Sequence, residues 1–150
     1  MAPVGNSAKI EDSLFYTLGQ MTFTPTRRIA WPDIDPPFEP VESEIYLEPT
    51  VLWNETDRAE IGTGAPNRHM GIFQILTRGP IAISSQPQIE LVDEIIAAFD
   101  RLVISQNSIT VRIGSFNGTR SVPWRGSSFD EDGKNVIPIS IPFWCDIFPS

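Results

Sequence analysis

The stretch Val136-Ile137-Pro138-Ile139-Ser140-Ile141-Pro142-Phe143 decides the fold, because it alternates large apolar residues with smaller or polar ones. This period of two is typical of a β-strand whose isoleucine and phenylalanine side chains share one face. Backbone N–H groups also alternate in direction along a strand, so Pro138 and Pro142 remove donors on the same lateral side. We therefore predict a strand over residues 133–143 that lies at an edge of its sheet.

Three further segments have strand character. Residues 44–53 contain Pro49, which favours an edge or a bulge. Residues 69–78 have a nearly continuous apolar centre, which favours cover on both faces of the sheet. Residues 109–113 alternate apolar and polar side chains, and we expect them to pair with the last strand.

Two segments have helical periodicity. Residues 10–18 predict a short amphipathic helix, and residues 87–102 predict a longer one that lies on the sheet. Ser85 and Gln88 have the spacing of a capping box at the start of the longer helix. The pattern predicts an α+β fold: a mainly antiparallel sheet of about four strands, with a major helix and a short N-terminal helix packed on it.

The remaining segments are irregular. Five prolines in residues 24–42 predict an extended arm, pinned either across its own domain or onto a neighbouring molecule. Residues 54–67 and 115–132 predict long loops between strands. The length of 150 residues has room for one domain with a genuine core, and we treat residues 1–150 as that domain.

Charge and composition exclude several classes of function. The net charge of −8 has the wrong sign for a protein that grips nucleic acid by its phosphates. One cysteine and one histidine are too few for a structural zinc site. No apolar run approaches the roughly 20 residues of a membrane span, so we expect no membrane partner and no export signal.

A search for catalytic motifs finds only fragments. The segment Gly62-Thr63-Gly64 lacks the remaining residues of a dinucleotide or phosphate loop. The segment Asp130-Glu131-Asp132 lacks the spacing of a calcium loop, and a tight turn explains it better. His69 with a carboxylate and Cys145 could form a small hydrolase site. The sequence around the cysteine, however, has neither the nucleophile-elbow pattern nor the papain-like pattern. We expect no enzyme and no cofactor.

Exposed aromatic residues are the stronger signal. Trp124 stands among glycines and serines beside Arg120 and Arg125, and Trp and Arg dominate the energy of buried interfaces. The alternative is a loop tryptophan that folds back on its own domain. The arm carries three apolar residues of the same kind, Trp31, Ile34 and Phe38.

The order of motifs resembles the tail-terminator-like family of long-tailed bacteriophages. The resemblance covers about residues 10–143. It is carried by Ile29-Ala30-Trp31-Pro32, Phe38-Glu39-Pro40, Gly71-Ile72-Phe73-Gln74-Ile75, Asp93-Glu94-Ile95-Ile96-Ala97-Ala98-Phe99 and the proline-containing last strand. This sequence departs from the family pattern in two places: its acidic central loop is longer, and it carries an insert over residues 120–126.

The resemblance implies a structural virion protein of the tail and neck, assembled in the host cytoplasm. Such a protein forms a ring, expected to be a homo-hexamer, that caps the tail tube protein, stops tail polymerisation and docks the head-tail connector or stopper protein. Genome DNA passes through without specific binding, which suits an acidic lumen lined by Glu55, Asp57 and Glu60. The alternative is another neck component, such as a head-tail joining or tail completion protein. Contacts between subunits are expected at Trp31, Ile34, Phe38, Arg120, Trp124, Arg125 and Phe129.

Overall fold

Two long antiparallel strands, β3 and β8, form the centre of the protein. The computed structural model describes residues 5–54, 57–58, 66–81, 85–114 and 122–148. The elements in chain order are α1 (Asn6–Gln20), β1 (Tyr46–Trp53), β2 (Asp57–Arg58), β3 (Asn67–Pro80), α2 (Gln86–Phe99), β4 (Val103–Gln106), β5 (Ile109–Ile113), β6 (Trp124–Arg125), β7 (Phe129–Glu131) and β8 (Lys134–Ile147). Strands β3 and β8 are each 14 residues long and pair along their whole length, from Asn67↔Ile147 to Pro80↔Lys134.

The predicted fold class is wrong in its balance of elements. In the described residues the sheet has eight strands in place of about four, and its main path is β1-β3-β8-β5-β4. With only two helices beside these strands, the described part of the chain is mostly β. The additional strands are short: β2, β6 and β7 lie within the segments predicted as long loops, and β4 precedes β5. Two- and three-residue strands leave no periodicity in a sequence, because they exist only through the neighbour that pairs with them.

The prediction that the last strand lies at an edge is also wrong, although its reason holds. On the side away from β3, β8 pairs with three separate pieces, β7, β6 and β5. The breaks between the pieces fall at Pro138 and Pro142, where the donors are missing. The carbonyls of these prolines still accept hydrogen bonds from Gly126 N–H and Gly114 N–H, both at 2.8 Å. Loss of donors therefore fragments the pairing without abolishing it.

Alternation in β3 and β8 places the core on one face of the sheet. Phe73 and Ile75 of β3 and Ile139 and Ile141 of β8 are fully buried there, together with the buried stripes of both helices. Residues of β3 on the opposite face are only half-buried, so the predicted cover on both faces of this strand is wrong. That second face, which we call the open face, carries no helix in the described part of the chain.

Both helices occur where the sequence predicts them, with different boundaries. Helix α1 buries Ile10, Leu14 and Leu18, and it runs through Gly19 to Gln20. The capping box at α2 is absent, because Ser85 forms no side-chain capping bond. Gln88 is instead buried, where its Nε2 donates to the carbonyls of Thr77 and Asn135, both at 2.9 Å.

The arm over residues 24–42 contains no helix or named strand, as predicted, and it lies on its own domain. Ala30 N–H donates to the carbonyl of Leu47 at 2.7 Å, and Leu47 N–H donates to the carbonyl of Arg28 at 3.1 Å. These bonds form a short parallel bridge along β1 at Ile29↔Leu47. Strand β1 is an edge strand of the sheet, as Pro49 predicts, and the arm covers part of that edge.

Candidate assembly surfaces

The arm places its three apolar residues in different surroundings. Trp31 packs edge-on against Phe15 of α1, with ring centroids 5.7 Å apart. Phe38 packs on Tyr46 at 4.9 Å, while the Arg28 guanidinium lies 4.5 Å from the centre of the Phe38 ring. Ile34 remains 38% exposed. Trp31 and Phe38 therefore attach the arm to its own domain, and Ile34 is the most accessible of the three for a partner.

An ion pair closes the arm against the start of β1. Arg28 donates to both carboxylate oxygens of Glu44, at 2.6 and 2.7 Å, and Val41 N–H donates to the same carboxylate at 2.9 Å. The hydrogen bond from Arg28 lowers the pKa of Glu44, more than its partial burial raises it. The arm is thus held by aromatic packing along its length and by charge at its end.

The contact residues predicted in segment 115–132 divide between the two faces of the sheet. Trp124 of β6 pairs with Ser140 and Phe129 of β7 pairs with Val136, which puts both aromatic side chains on the open face. Arg125 pairs with Ile139, a core-facing residue, and lines a cleft of about 270 Å³ beside Ile89 of α2. Arg120 lies outside the described residues. The structure puts Trp124 and Phe129 on one face of the sheet, about 13 Å apart along β8, and puts Arg125 on the other face.

The predicted lumen residues fall almost wholly outside the described part of the chain. Glu55 and Glu60 lie outside it, and so does the segment 62–64. Asp57 is placed only by its backbone, in β2 opposite Arg68 of β3. The acidic lumen therefore stays a prediction.

His69 and Cys145 face each other across β3 and β8. Burial raises the pKa of the Cys145 thiol to about 11, and burial lowers the pKa of His69. Near pH 7 the thiol is protonated and the imidazole is neutral, which is the reverse of an activated cysteine pair. This geometry gives no support to the hydrolase alternative.

The open face carries a stack of charged and aromatic side chains that the sequence did not reveal. The Arg68 and Arg112 guanidinium carbons lie 5.3 and 5.7 Å from the centre of the Trp144 ring. Arg68 also donates two bonds of 2.8 Å to Asp146. These residues come from three strands, β3, β5 and β8, and only the pairing register makes them neighbours. In β5 the polar residues Thr110 and Arg112 alternate with apolar ones, which is a signal that could have indicated this face, whereas β3 places Met70, Ile72 and Leu76 on it beside Arg68.

The described residues offer no metal site and no candidate membrane-spanning helix. No group of three or more His, Cys, Asp or Glu in this part of the chain could hold a metal ion. Neither of the helices combines the length and the apolar character needed to cross a membrane.

Comparison with known proteins agrees with this fold. One solved structure, of a protein whose name states no function, shares 23% sequence identity with the chain and has a TM-score of 0.65. The alignment covers 96% of this chain and 95% of that one, and at this identity it supports the fold alone. A search of curated proteins found no match.

Comparison with protein families carries the assignment further. Residues 9–143 match the family described as phage tail terminator protein. The matched segment runs from α1 through most of β8 and includes the arm and most of the open face and the core. Because the match spans most of the chain, the protein belongs to the phage tail terminator family and is a structural component of a phage tail.

Proposed function

We propose that the protein forms a ring, as a homo-hexamer, on the end of the finished tail tube. The ring stops addition of tube protein and presents a docking surface for the head-tail connector or stopper. Assembly takes place in the host cytoplasm, and the role requires neither a catalytic residue nor a cofactor. The observation that carries this proposal is the family match over residues 9–143.

The exposed apolar side chains supply surfaces for the ring. Subunits in a cyclic ring meet through two different patches, one on each neighbour. Ile34 on the arm and Phe129 on the open face are 38% and 43% exposed, so both can bury further area in an assembly. Trp124 lies on the same face as Phe129, about 13 Å along β8 by strand geometry. We assign subunit contacts to these two regions, with Trp31 and Phe38 holding the arm in position.

The genome is expected to pass through the ring without specific binding. A net charge of −8 makes a surface that repels phosphate, and we place Glu55, Asp57 and Glu60 at the lumen. The DNA then slides past the protein, because an acidic lumen repels its phosphates instead of binding them.

The test is electron microscopy of the purified protein mixed with growing tail tubes of its own particle. A ring on one end of each tube, together with arrested growth, supports the proposal. Tubes mixed with heat-unfolded protein provide the control for spontaneous arrest. If the protein binds only the head connector while tubes continue to grow, the proposal is wrong, and a head-tail joining or tail completion role replaces it.

A further inference from the structure

A cleft opens where β5 and β8 stop pairing. The two strands pair only at Arg112↔Trp144 and Ile113↔Phe143, although β8 continues to Ile147. Beyond that point the chains diverge and enclose a cleft of about 630 Å³, which Lys9 of α1 also lines. A space of this size accommodates a few side chains or a turn, and not a domain.

The cleft is positively charged in an acidic protein. Lys9 and Arg112 line it, and neither forms an ion pair with another described residue. Asp146 also lines it, but its charge is compensated by the two bonds from Arg68. Trp144 and Phe148, the latter 66% exposed, add apolar walls. Cations beside aromatic walls favour an acidic segment with a compact backbone.

This chain carries such a segment at the opposite end of β8. Asp130 and Glu131 end β7, and Asp132 and Gly133 form the turn into β8; we call these four residues the acidic turn. Glu131 is held by Arg78 at 2.9 Å. Asp130 and Asp132 are exposed and form no ion pair with the rest of the described chain. Positive φ angles at Asp132 (52°) and Gly133 (75°) keep the turn tight.

The acidic turn cannot reach the cleft of its own chain. Asp130 pairs with Asn135, and Arg112 pairs with Trp144. At the rise of a β-strand these positions on β8 are about 30 Å apart. Contact between them therefore requires two copies, with the turn of one entering the cleft of the next.

We propose that the acidic turn of each subunit docks in the Lys9–Arg112–Trp144 cleft of its neighbour. The two surfaces differ, so the contact is head-to-tail and repeats from copy to copy, closing into a ring when the rotation permits. This inference rests on the proposed function and assigns the partner surface that the ring uses. It adds a contact separate from those at Ile34 and Phe129.

Charge reversal tests the contact by complementation. The variant Lys9→Glu/Arg112→Glu has an acidic cleft and an acidic turn, whereas Asp130→Lys/Asp132→Lys has a basic cleft and a basic turn. Each variant alone places like charges together, so we expect self-association in sedimentation velocity to weaken about tenfold or more. Mixed in equal amounts, the two variants complement each other and recover assembly to within about threefold of the unmodified protein. Asp93→Lys/Glu94→Lys makes the same charge change as the turn variant, at exposed positions of α2. It is the control for that variant and leaves assembly unchanged.

Cross-linking provides a readout that does not depend on tube capping. A chain with Thr110→Cys and Asp130→Cys, treated with a short bismaleimide, gives covalent dimers and higher ladders if the turn occupies the neighbour's cleft. The unmodified chain, whose Cys145 is buried, is the control.

Two outcomes separate this inference from the proposed function. Rings on tube ends with no cross-link and no complementation overturn the docking contact and leave the terminator role intact. Cross-linked ladders and complementation without tube capping support the contact and contradict the terminator role. If the protein cross-links neither when free in solution nor when bound to tubes, the docking contact is wrong.

Discussion

Gln88 joins helix α2 to the two central strands through its side-chain amide. Its Nε2 donates to the carbonyls of Thr77 and Asn135, and its Oε1 accepts from Asn135 Nδ2 at 3.2 Å. The residue is 2% exposed, so water cannot replace these bonds. At the residue scale, a buried amide that satisfies two backbone carbonyls fixes where the helix lies on the sheet.

Replacing Gln88 by alanine is expected to destabilise the protein by about 1–3 kcal/mol, because the buried Thr77 carbonyl and the partly buried Asn135 carbonyl lose a donor. Urea unfolding followed by circular dichroism measures this change. Gln86→Ala, on an exposed position two residues earlier, is the matched control and should fall within about 0.5 kcal/mol of the unmodified protein. Equal stability of the two variants would show that the Gln88 bonds make no net contribution.

The Arg28–Glu44 pair makes the stability of the protein depend on pH. Because Arg28 lowers the pKa of folded Glu44 below its ordinary value, the stabilisation is fully present above that value, about 4.3. It is lost as pH falls through the lower pKa of the folded state. We expect Glu44→Gln to lower the melting temperature modestly at pH 7, with the difference shrinking as the pH falls below the ordinary glutamate pKa of about 4.3. Glu42→Gln, exposed on the same segment, should change little at either pH. A deficit that persists unchanged in acid would contradict this assignment.

At the scale of the elements, close approach of β1, β3 and β8 depends on Gly71. A Cβ built at this position would lie 2.5 Å from the Leu52 carbonyl oxygen and 2.9 Å from Phe143 Cζ. Both distances are shorter than van der Waals contact, and the first involves backbone that cannot rotate away. The neighbouring Trp53 ring packs edge-on against Phe143 at 5.5 Å, which leaves little room for adjustment.

We therefore expect Gly71→Ala to cost about 1–3 kcal/mol through overpacking at the β1–β3 pair. Thermal and urea unfolding measure the loss. Gly5→Ala is the matched control, since nothing lies within 4 Å of a Cβ at that position. If Gly71→Ala is as stable as Gly5→Ala, the strands can separate at no cost and the close approach has no structural role.

Sequence periodicity predicts where the helices and strands lie better than it predicts which strands pair with each other. The core face of β8, with Ile137, Ile139 and Ile141, follows from alternation alone. The position of β8 in the sheet does not, because a proline removes a donor and leaves an acceptor that Gly114 or Gly126 can use. Pairing partners are distant in sequence, so local pattern cannot supply the register.

The same limit applies to the assembly surfaces. The sequence indicates Trp124, Phe129 and Ile34 as candidate contact residues, because they are apolar and lie outside regular core segments. In the structure Ile34 and Phe129 are partly exposed. The stack of Arg68, Trp144 and Arg112 escaped notice, because its members belong to strands that only the register brings together. The division of Trp124 from Arg125 likewise required knowing that β6 is a strand.

At the scale of the whole molecule, the proposed ring contacts should separate from folding stability. Ile34→Ser and Phe129→Ser replace partly exposed side chains, so we expect each to remain within about 0.5 kcal/mol of the unmodified protein. If the residues are buried between subunits, the double variant should cap tube ends about tenfold less well. Counts of capped ends in electron micrographs measure this.

Ile81→Ser is the control for that experiment, because Ile81 is 58% exposed and belongs to neither proposed contact region. It should cap tube ends normally. Normal capping by the double variant as well would remove Ile34 and Phe129 from the subunit contacts.

The pairing of β3 with β8 has a consequence for the order of synthesis. Pro80 and Lys134, which pair with each other, end one strand and begin the other. At translation rates of about 5–20 residues per second, β3 waits roughly 3–13 s until its partner is complete at Ile147. During that interval a long apolar strand has no central neighbour, and a nascent chain in this state is prone to aggregate. Slowing translation between these strands should therefore reduce the yield of native protein without changing a single residue.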